Sequence, residues 1–153
     1  MPSSEVEICH LLYRYAEMVD RGLFEELEGE LFAHTRFVVA PPPAPKLDGG
    51  KMVQLLCDTT IRYDDGTPKT KHVITNPIVD VFEDAGQATC RSYYTVFQHT
   101  DSLPLQPIVS GRYEDTFERV DGKWRFAERD YTLVDMVGNI AQHIRFALRP
   151  TER

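Results

Sequence analysis

The sequence predicts an α+β domain in which N-terminal helices cover one face of a strongly curved antiparallel sheet and enclose a pocket. Three observations carry that prediction. Apolar residues recur at helical spacing between Ile8 and Ile61, long β-prone runs fill the chain from residue 70 onward, and tight-turn signals separate those runs. The whole chain, residues 1–153, is expected to form one domain, because its length supports one proper core and leaves little room for a second.

The first helix starts at a capping signal. Ser4 and Glu7 have the spacing at which each side chain satisfies the other's free backbone N–H. Ile8, Leu11, Leu12, Tyr15, Ala16 and Val19 then fall on one helical stripe, and the row Leu12, Ala16, Asp20 puts a carboxylate at its end. Gly22 allows a break, after which Leu23 to Phe32 reads as a short acidic helix with Phe24, Leu27, Leu31 and Phe32 as its apolar contacts. Arg36 to Ala40 is short and β-prone, and Pro41 to Pro45 must be loop or polyproline because prolines cannot donate to a ladder. Met52, Val53, Leu55, Leu56 and Thr59 suggest a further helix between Gly50 and Ile61, closed by the turn residues Asp64, Asp65, Gly66 and Pro68.

Four β-prone runs follow: Lys71 to Glu83, Gln87 to Thr100, Ile108 to Val120 and Lys123 to Val137. Asp84-Ala85-Gly86 separates the first two and Asp121-Gly122 the last two, the second being a strong hairpin signal. Ile140 to Leu148 reads as a strand extension or a short helix. A bent sheet closed by helices leaves a concave pocket lined by alternate strand residues.

Composition narrows the function. With 24 acidic and 17 basic side chains the chain carries a formal charge of −7, which argues against a phosphate-tracking nucleic-acid binder. It has no apolar run of membrane-spanning length, and Glu5 and Glu7 stand where a signal peptide would need basic and then apolar residues. The three cysteines, Cys9, Cys57 and Cys90, suggest neither a disulfide framework nor a zinc cluster, and Cys57 and Cys90 read as small core residues. The expectation is a cytoplasmic protein without membrane or nucleic-acid partners. His10, His34, His99 and His143 lack metal-ligand spacing, so no metal or other cofactor is expected.

Four residues stand out as candidate catalytic groups. Asp20 ends a buried face, where desolvation would raise its pKa and a cation would lower it; the bland alternative is a helix-end carboxylate turned to water. His72 opens the first long strand on a face shared with Ile74, Asn76 and Ile78, and is either a proton-transfer group or a satisfied core histidine. Arg129 lies inside a strand, where it either forms an internal ion pair or stabilises a substrate anion; alternation leaves its face open because Trp124 and Phe126 have the opposite parity. Tyr15, like Tyr13, can donate a hydrogen bond to a carbonyl or simply pack. Asn76, Tyr13 and Tyr131 are the candidate substrate contacts, while Tyr93, Tyr94 and Tyr113 read as sheet packing.

The opening ICHLLYRYAEMVDRGLFEELEGELFA resembles the first two helices of the SnoaL-like branch of the NTF2-like superfamily. TKHVITNPIVDVFEDAGQATCRSYYTVFQ and GRYEDTFERVDGKWRFAERDYTLVDMVGNIAQHI resemble that branch's two hairpins. The resemblance implies a cone-shaped NTF2-like fold. It also implies an Asp–His dyad at Asp20 and His72 and a pocket arginine at Arg129, as in members similar to bile-acid dehydratase and hexachlorocyclohexane dehydrochlorinase. Tyr15, five positions before the aspartate, is tyrosine in the first type and lysine in the second, which favours a carbonyl or hydroxyl substrate. The scytalone-dehydratase type needs a second pocket histidine, for which His99 is the candidate. The epoxide-hydrolase type needs an Asp-Arg-Asp set that has no counterpart here. Implied is a lyase or isomerase that removes a proton beside a carbonyl or leaving group of a hydrophobic small molecule such as a steroid or polyketide. The alternatives are a non-catalytic ligand-binding or assembly subunit like a dioxygenase β-subunit, or a transport-factor-like module. Either way a homodimer or homotrimer is expected.

Overall fold

A helix of seventeen residues, α1 (Ser4–Asp20), packs its apolar stripe across a mixed sheet, and the way it ends places the site described below. The computed structural model describes residues 1–152. The N-cap is Ser3, one residue earlier than the capping-box spacing suggests: the Val6 N–H donates to its Oγ at 3.4 Å. Ile8, Leu12, Tyr15, Ala16 and Val19 are buried as predicted. At the C-terminus Gly22 takes a left-handed conformation (φ 74°), and the N–H groups of Gly22 and Leu23 donate back to the carbonyls of Val19 and Met18. This is a Schellman closure, which stops the helix at Asp20. A side chain on Gly22 would also collide with the Gly66 carbonyl, 1.9 Å from an added Cβ.

The segment predicted as a second helix is instead a series of turns ending in a π-helical turn, Glu28–Phe32. Its apolar residues are buried as expected, with Phe24, Leu27 and Phe32 at 0% exposure. Leu31 and Phe32 are both buried in this turn. The second helix, α2 (Gly49–Thr59), is capped by Asp48, whose carboxylate accepts the Lys51 N–H at 2.9 Å.

Six strands form one open sheet: β1 (Arg36–Val38), β2 (Thr70–Phe82), β3 (Gln87–Gln98), β4 (Gln106–Val120), β5 (Lys123–Asp130) and β6 (Val134–Val137). The order is β1-β5-β4-β3-β2, antiparallel except for the parallel β1–β5 pair. The β4–β5 hairpin turns at Asp121 and Gly122, both left-handed, as its sequence predicts. The run from Lys123 to Val137 does not continue as one strand. Asp130 accepts the backbone N–H and hydroxyl of Thr132, both at 2.7 Å, and this local turn ends β5. β5 then pairs with the second half of β4 and β6 with the first half. Residues 140–148 form neither strand nor helix but turns joined to Thr60 by a single β-bridge at Ile144.

One sheet face meets the helices. On β3 it carries Ala88, Cys90, Ser92, Tyr94, Val96 and Gln98, in strict alternation with outward residues. Register shifts interrupt the ladders elsewhere: between Thr75 and Ile78 on β2, at the Val96–Phe97 step of β3, at the Ser110–Gly111 step of β4 against β6, and opposite the Thr116–Phe117 step of β4. No helix among the described residues is long and apolar enough to cross a membrane.

Candidate active site

The Schellman closure of α1 leaves the Asp20 carboxylate beside the first residues of β2, and three donors converge on it. The His72 N–H donates to Oδ2 at 2.8 Å, while Oδ1 lies 2.6 Å from His72 Nδ1 and accepts the Thr70 hydroxyl at 2.9 Å. Both side chains are largely sequestered, with 7% of the His72 side chain and 9% of the Asp20 side chain exposed. An ionised carboxylate in this position selects the tautomer with the proton on Nδ1, which leaves Nε2 with a free lone pair on the opposite ring edge.

The His72 ring reaches the wall of an apolar cavity of about 250 Å³ between the sheet, α2 and residues 140–148. Tyr15 from α1 and Tyr94, Tyr113 and Tyr131 from the sheet side form its aromatic wall, and Met52 and Leu56 of α2 face them. The aromatic rings interlock: Tyr15 meets Tyr113 edge-on at 6.2 Å, and Tyr94 stacks on Tyr113 at 4.5 Å. Burial pushes the phenols of Tyr15, Tyr113 and Tyr131 above their ordinary value, so they remain hydrogen-bond donors at neutral pH. The Tyr131 hydroxyl is buried beside Tyr15 and Arg129 and has no hydrogen bond of good geometry.

Arg129 stands behind this wall rather than in it. It is 0% exposed and grips Asp115 in a bidentate pair, Nε to Oδ1 at 2.7 Å and Nη2 to Oδ2 at 3.0 Å. Its guanidinium lies over the rings of Tyr113 (3.9 Å to the centroid) and Tyr15 (4.5 Å). Burial alone would pull the guanidinium down, but Asp115 holds it well above its ordinary value, so Arg129 stays charged, while burial pushes the Asp115 carboxyl up against the pull of Arg129. Of the two sequence readings of Arg129, the geometry is that of the internal ion pair, since the ring wall separates it from the cavity. Its inward direction comes from the bulge in β5: Glu128 pairs with Thr116 but Phe126 with Phe117, so Ala127 is an extra residue that turns Arg129 to the side of Trp124 and Phe126.

Other expected contacts also lie elsewhere. Asn76 sits at the β2 bulge with φ 55° and is exposed; the bulge reverses the alternation, so Asn76 and Ile78 do not share the inner face of His72 and Ile74. Tyr13 is 42% exposed and does not line the apolar cavity; it borders a surface groove whose lining includes Asp20 and His72 together with Glu17, Arg21 and Lys71. His99 is exposed and Cys57 is only half-buried, its thiol 3.6 Å from the Glu25 carboxylate. Tyr93 is 52% exposed on the outer sheet face.

Sequence reasoning missed His143. It is buried, lines the cavity, and its ring lies 6.3 Å from that of His72. The one available signal was a polar residue inside the apolar run Ile140 to Leu148. Among the described residues no group of three or more His, Cys, Asp or Glu side chains is arranged to hold a metal ion.

Comparison with known proteins agrees with this architecture. Residues 3–130 match the family model of the SnoaL-like domain. A protein of unknown function with a cystatin-like fold from Nostoc punctiforme superposes with a TM-score of 0.68 at 21% identity, covering 89% of this chain and 94% of that one. A candidate scytalone dehydratase from Novosphingobium aromaticivorans has a TM-score of 0.66 at 21% identity, with 96% and 92% covered. The β-subunit of a candidate aromatic-ring-hydroxylating dioxygenase from the same organism has a TM-score of 0.65 at 17% identity, with 88% and 90% covered. At these identities the likeness concerns the fold. No curated protein matches the sequence.

Proposed function

The chain belongs to the SnoaL-like domain family, and on that premise we propose that it is a lyase or isomerase working with an Asp20–His72 dyad on a compact hydrophobic substrate. The observation that carries this reading is the 2.6 Å Asp20–His72 contact at the wall of an apolar cavity. His72 Nε2 takes a proton from a carbon next to a carbonyl, and the C–H electron pair passes into the enolate. Asp20 stabilises the imidazolium that forms and holds the ring in place. Tyr15 and Tyr131 donate hydrogen bonds to the enolate oxygen. The imidazolium then returns its proton: to a departing β-hydroxyl, which leaves as water, or to a different carbon, which isomerises the substrate. Intramolecular aldol closure would start from the same enolate.

The cavity limits the substrate. Sites for drug-sized ligands run from about 300 to 1,000 Å³, and about 250 Å³ suits a one- or two-ring molecule better than a steroid skeleton. The test is α-hydrogen exchange of 2-tetralone in deuterated buffer, followed by proton NMR. Exchange above the buffer rate is expected with the native protein and none with His72→Ala. Asp20→Asn, which disturbs the tautomer and the charge behind it, is expected to lose a factor of about 10² to 10⁴. Equal exchange by native and His72→Ala protein would sink the proposal.

A second reading, a ligand-binding or assembly subunit, draws on the outer face of the sheet. Val73, Thr95, Ser110 and Met136 occupy one register row across β2, β3, β4 and β6. Val73 and Met136 are 40% and 64% exposed, and Tyr93 adjoins the row. Exposed Val73, Tyr93 and Met136, with the hydroxyls of Thr95 and Ser110 between them, make a mixed face suited to subunit contact. Association into a homodimer or homotrimer through it would be lost in Met136→Lys when followed by light scattering.

A further inference from the structure

The cavity is lined by two imidazoles, and the second has no role in the chemistry outlined above. His143 arrives on the segment that returns across the cavity after β6, and its backbone is tied on both sides. Its N–H donates to the Ile140 carbonyl at 2.9 Å, and its own carbonyl accepts the Ile61 N–H at 2.8 Å. Beside it, the Arg145 N–H donates to the Thr59 carbonyl at 2.9 Å, and the Gln142 carbonyl accepts from Tyr63 and Gln98. The ring, by contrast, is not tied. It is 8% exposed, and its Nδ1 has no hydrogen-bond partner among the described residues. A buried polar atom left unpaired is costly, and a residue whose backbone is this well anchored keeps the cost only if something else meets it.

Burial and the neighbouring His72 push His143 down to about 4. At neutral pH His143 is therefore an uncharged imidazole with one N–H donor and one nitrogen acceptor. The centroids of the His72 and His143 rings are 6.3 Å apart and their planes cross at 66°, so the two rings are neighbours on the cavity wall and one small molecule in the cavity can touch both.

We propose that His143 is a ligand-binding residue whose ring hydrogen-bonds the carbonyl or hydroxyl oxygen of a compact cyclic molecule seated against His72. The inference deepens the reading of the cavity as a substrate site and specifies its substrate as oxygenated close to His72. A half-rotation of the imidazole exchanges Nδ1 with a carbon position, so either nitrogen can serve without a change in the backbone.

The experiment compares 1-tetralone with tetralin, the same two-ring skeleton without the oxygen, by titration calorimetry. One net hydrogen bond corresponds to a preference of about five- to tenfold for the ketone. The native protein and His99→Gln, altered at an exposed site, are expected to show that preference. His143→Phe is expected to bind both compounds equally. In the native protein, imidazole ¹⁵N resonances of His143 are expected to shift with 1-tetralone and not with tetralin, a readout that needs no variant to fold. A preference that persists in His143→Phe, a silent His143 resonance, or failure of both compounds to bind overturns the proposal. Loss of 2-tetralone exchange in the native protein with the binding preference intact would instead count only against proton abstraction by His72.

Discussion

Replacing Arg129 by Met separates a structural arginine from one that acts on a ligand. The substitution keeps an unbranched apolar stem of similar reach and removes the guanidinium from a pair that is 0% exposed on both sides. Asp115 would then be a buried carboxylate without its partner, and breaking a buried ion pair in this way costs about 3 to 5 kcal/mol. The same guanidinium lies over Tyr113 and Tyr15, and a desolvated cation–ring contact is worth about 2 kcal/mol. Domains have a total stability of about 5 to 15 kcal/mol, so Arg129→Met should sit near the edge of folding. Urea denaturation at pH 7 measures the loss, and the double variant Arg129→Met/Asp115→Leu should recover much of it because no charge is left buried. The pH dependence has a definite sign. Burial raises the Asp115 carboxyl and Arg129 opposes that rise, so without Arg129 its folded pKa stands further above the unfolded one. The folded variant then holds a proton that the unfolded chain releases, and its deficit against the native protein widens as pH rises from about 4 to 7. If Arg129→Met stays within about 1 kcal/mol of the native protein while catalysis or ligand binding collapses, the reasoning fails and the arginine acts on the ligand.

Two further outcomes can be stated from the same geometry. A Cβ on Gly111 would stand 2.3 Å from the Leu133 carbonyl and 2.7 Å from the Tyr94 hydroxyl, so Gly111→Ala should cost about 1 to 3 kcal/mol by overpacking, read by thermal or urea unfolding. For His143 the folded pKa of about 4 lies below the ordinary 6.5, so the unfolded chain binds a proton that the folded one does not. Stability should fall by about 3 kcal/mol as pH drops from 6.5 to 4, and His143→Gln should flatten that part of the profile when urea midpoints are compared.

Much of the fold was legible because it rests on local, one-dimensional signals. The stripe from Ile8 to Val19, the strand alternation of Ala88 to Gln98 and the Asp121-Gly122 turn each state a period or a dihedral preference that holds in any surroundings. The meeting of Asp20 and His72 was legible too, but only through the family pattern; nothing local says that a helix end and a strand start fifty-two residues apart will touch. Tertiary structure decided the rest, for identifiable reasons. A bulge shifts side-chain parity by one residue, and its position depends on what the partner strand must match. That is why Arg129 turned inward and Asn76 outward, against or beyond what alternation could say. The run from Lys123 to Val137 split because β4 offers its two halves to different neighbours. His143 entered the cavity because residues 140–148 fold back onto Thr59 to Ile61, a closure across some eighty residues that is favoured by the apolar wall it completes. By itself, then, the sequence determined the first helix, the long strands and the tight turns, and which residues are chemically able to act. The long-range packing determined which of them share a cavity, because shared burial is a property of surfaces brought together and no single segment contains it.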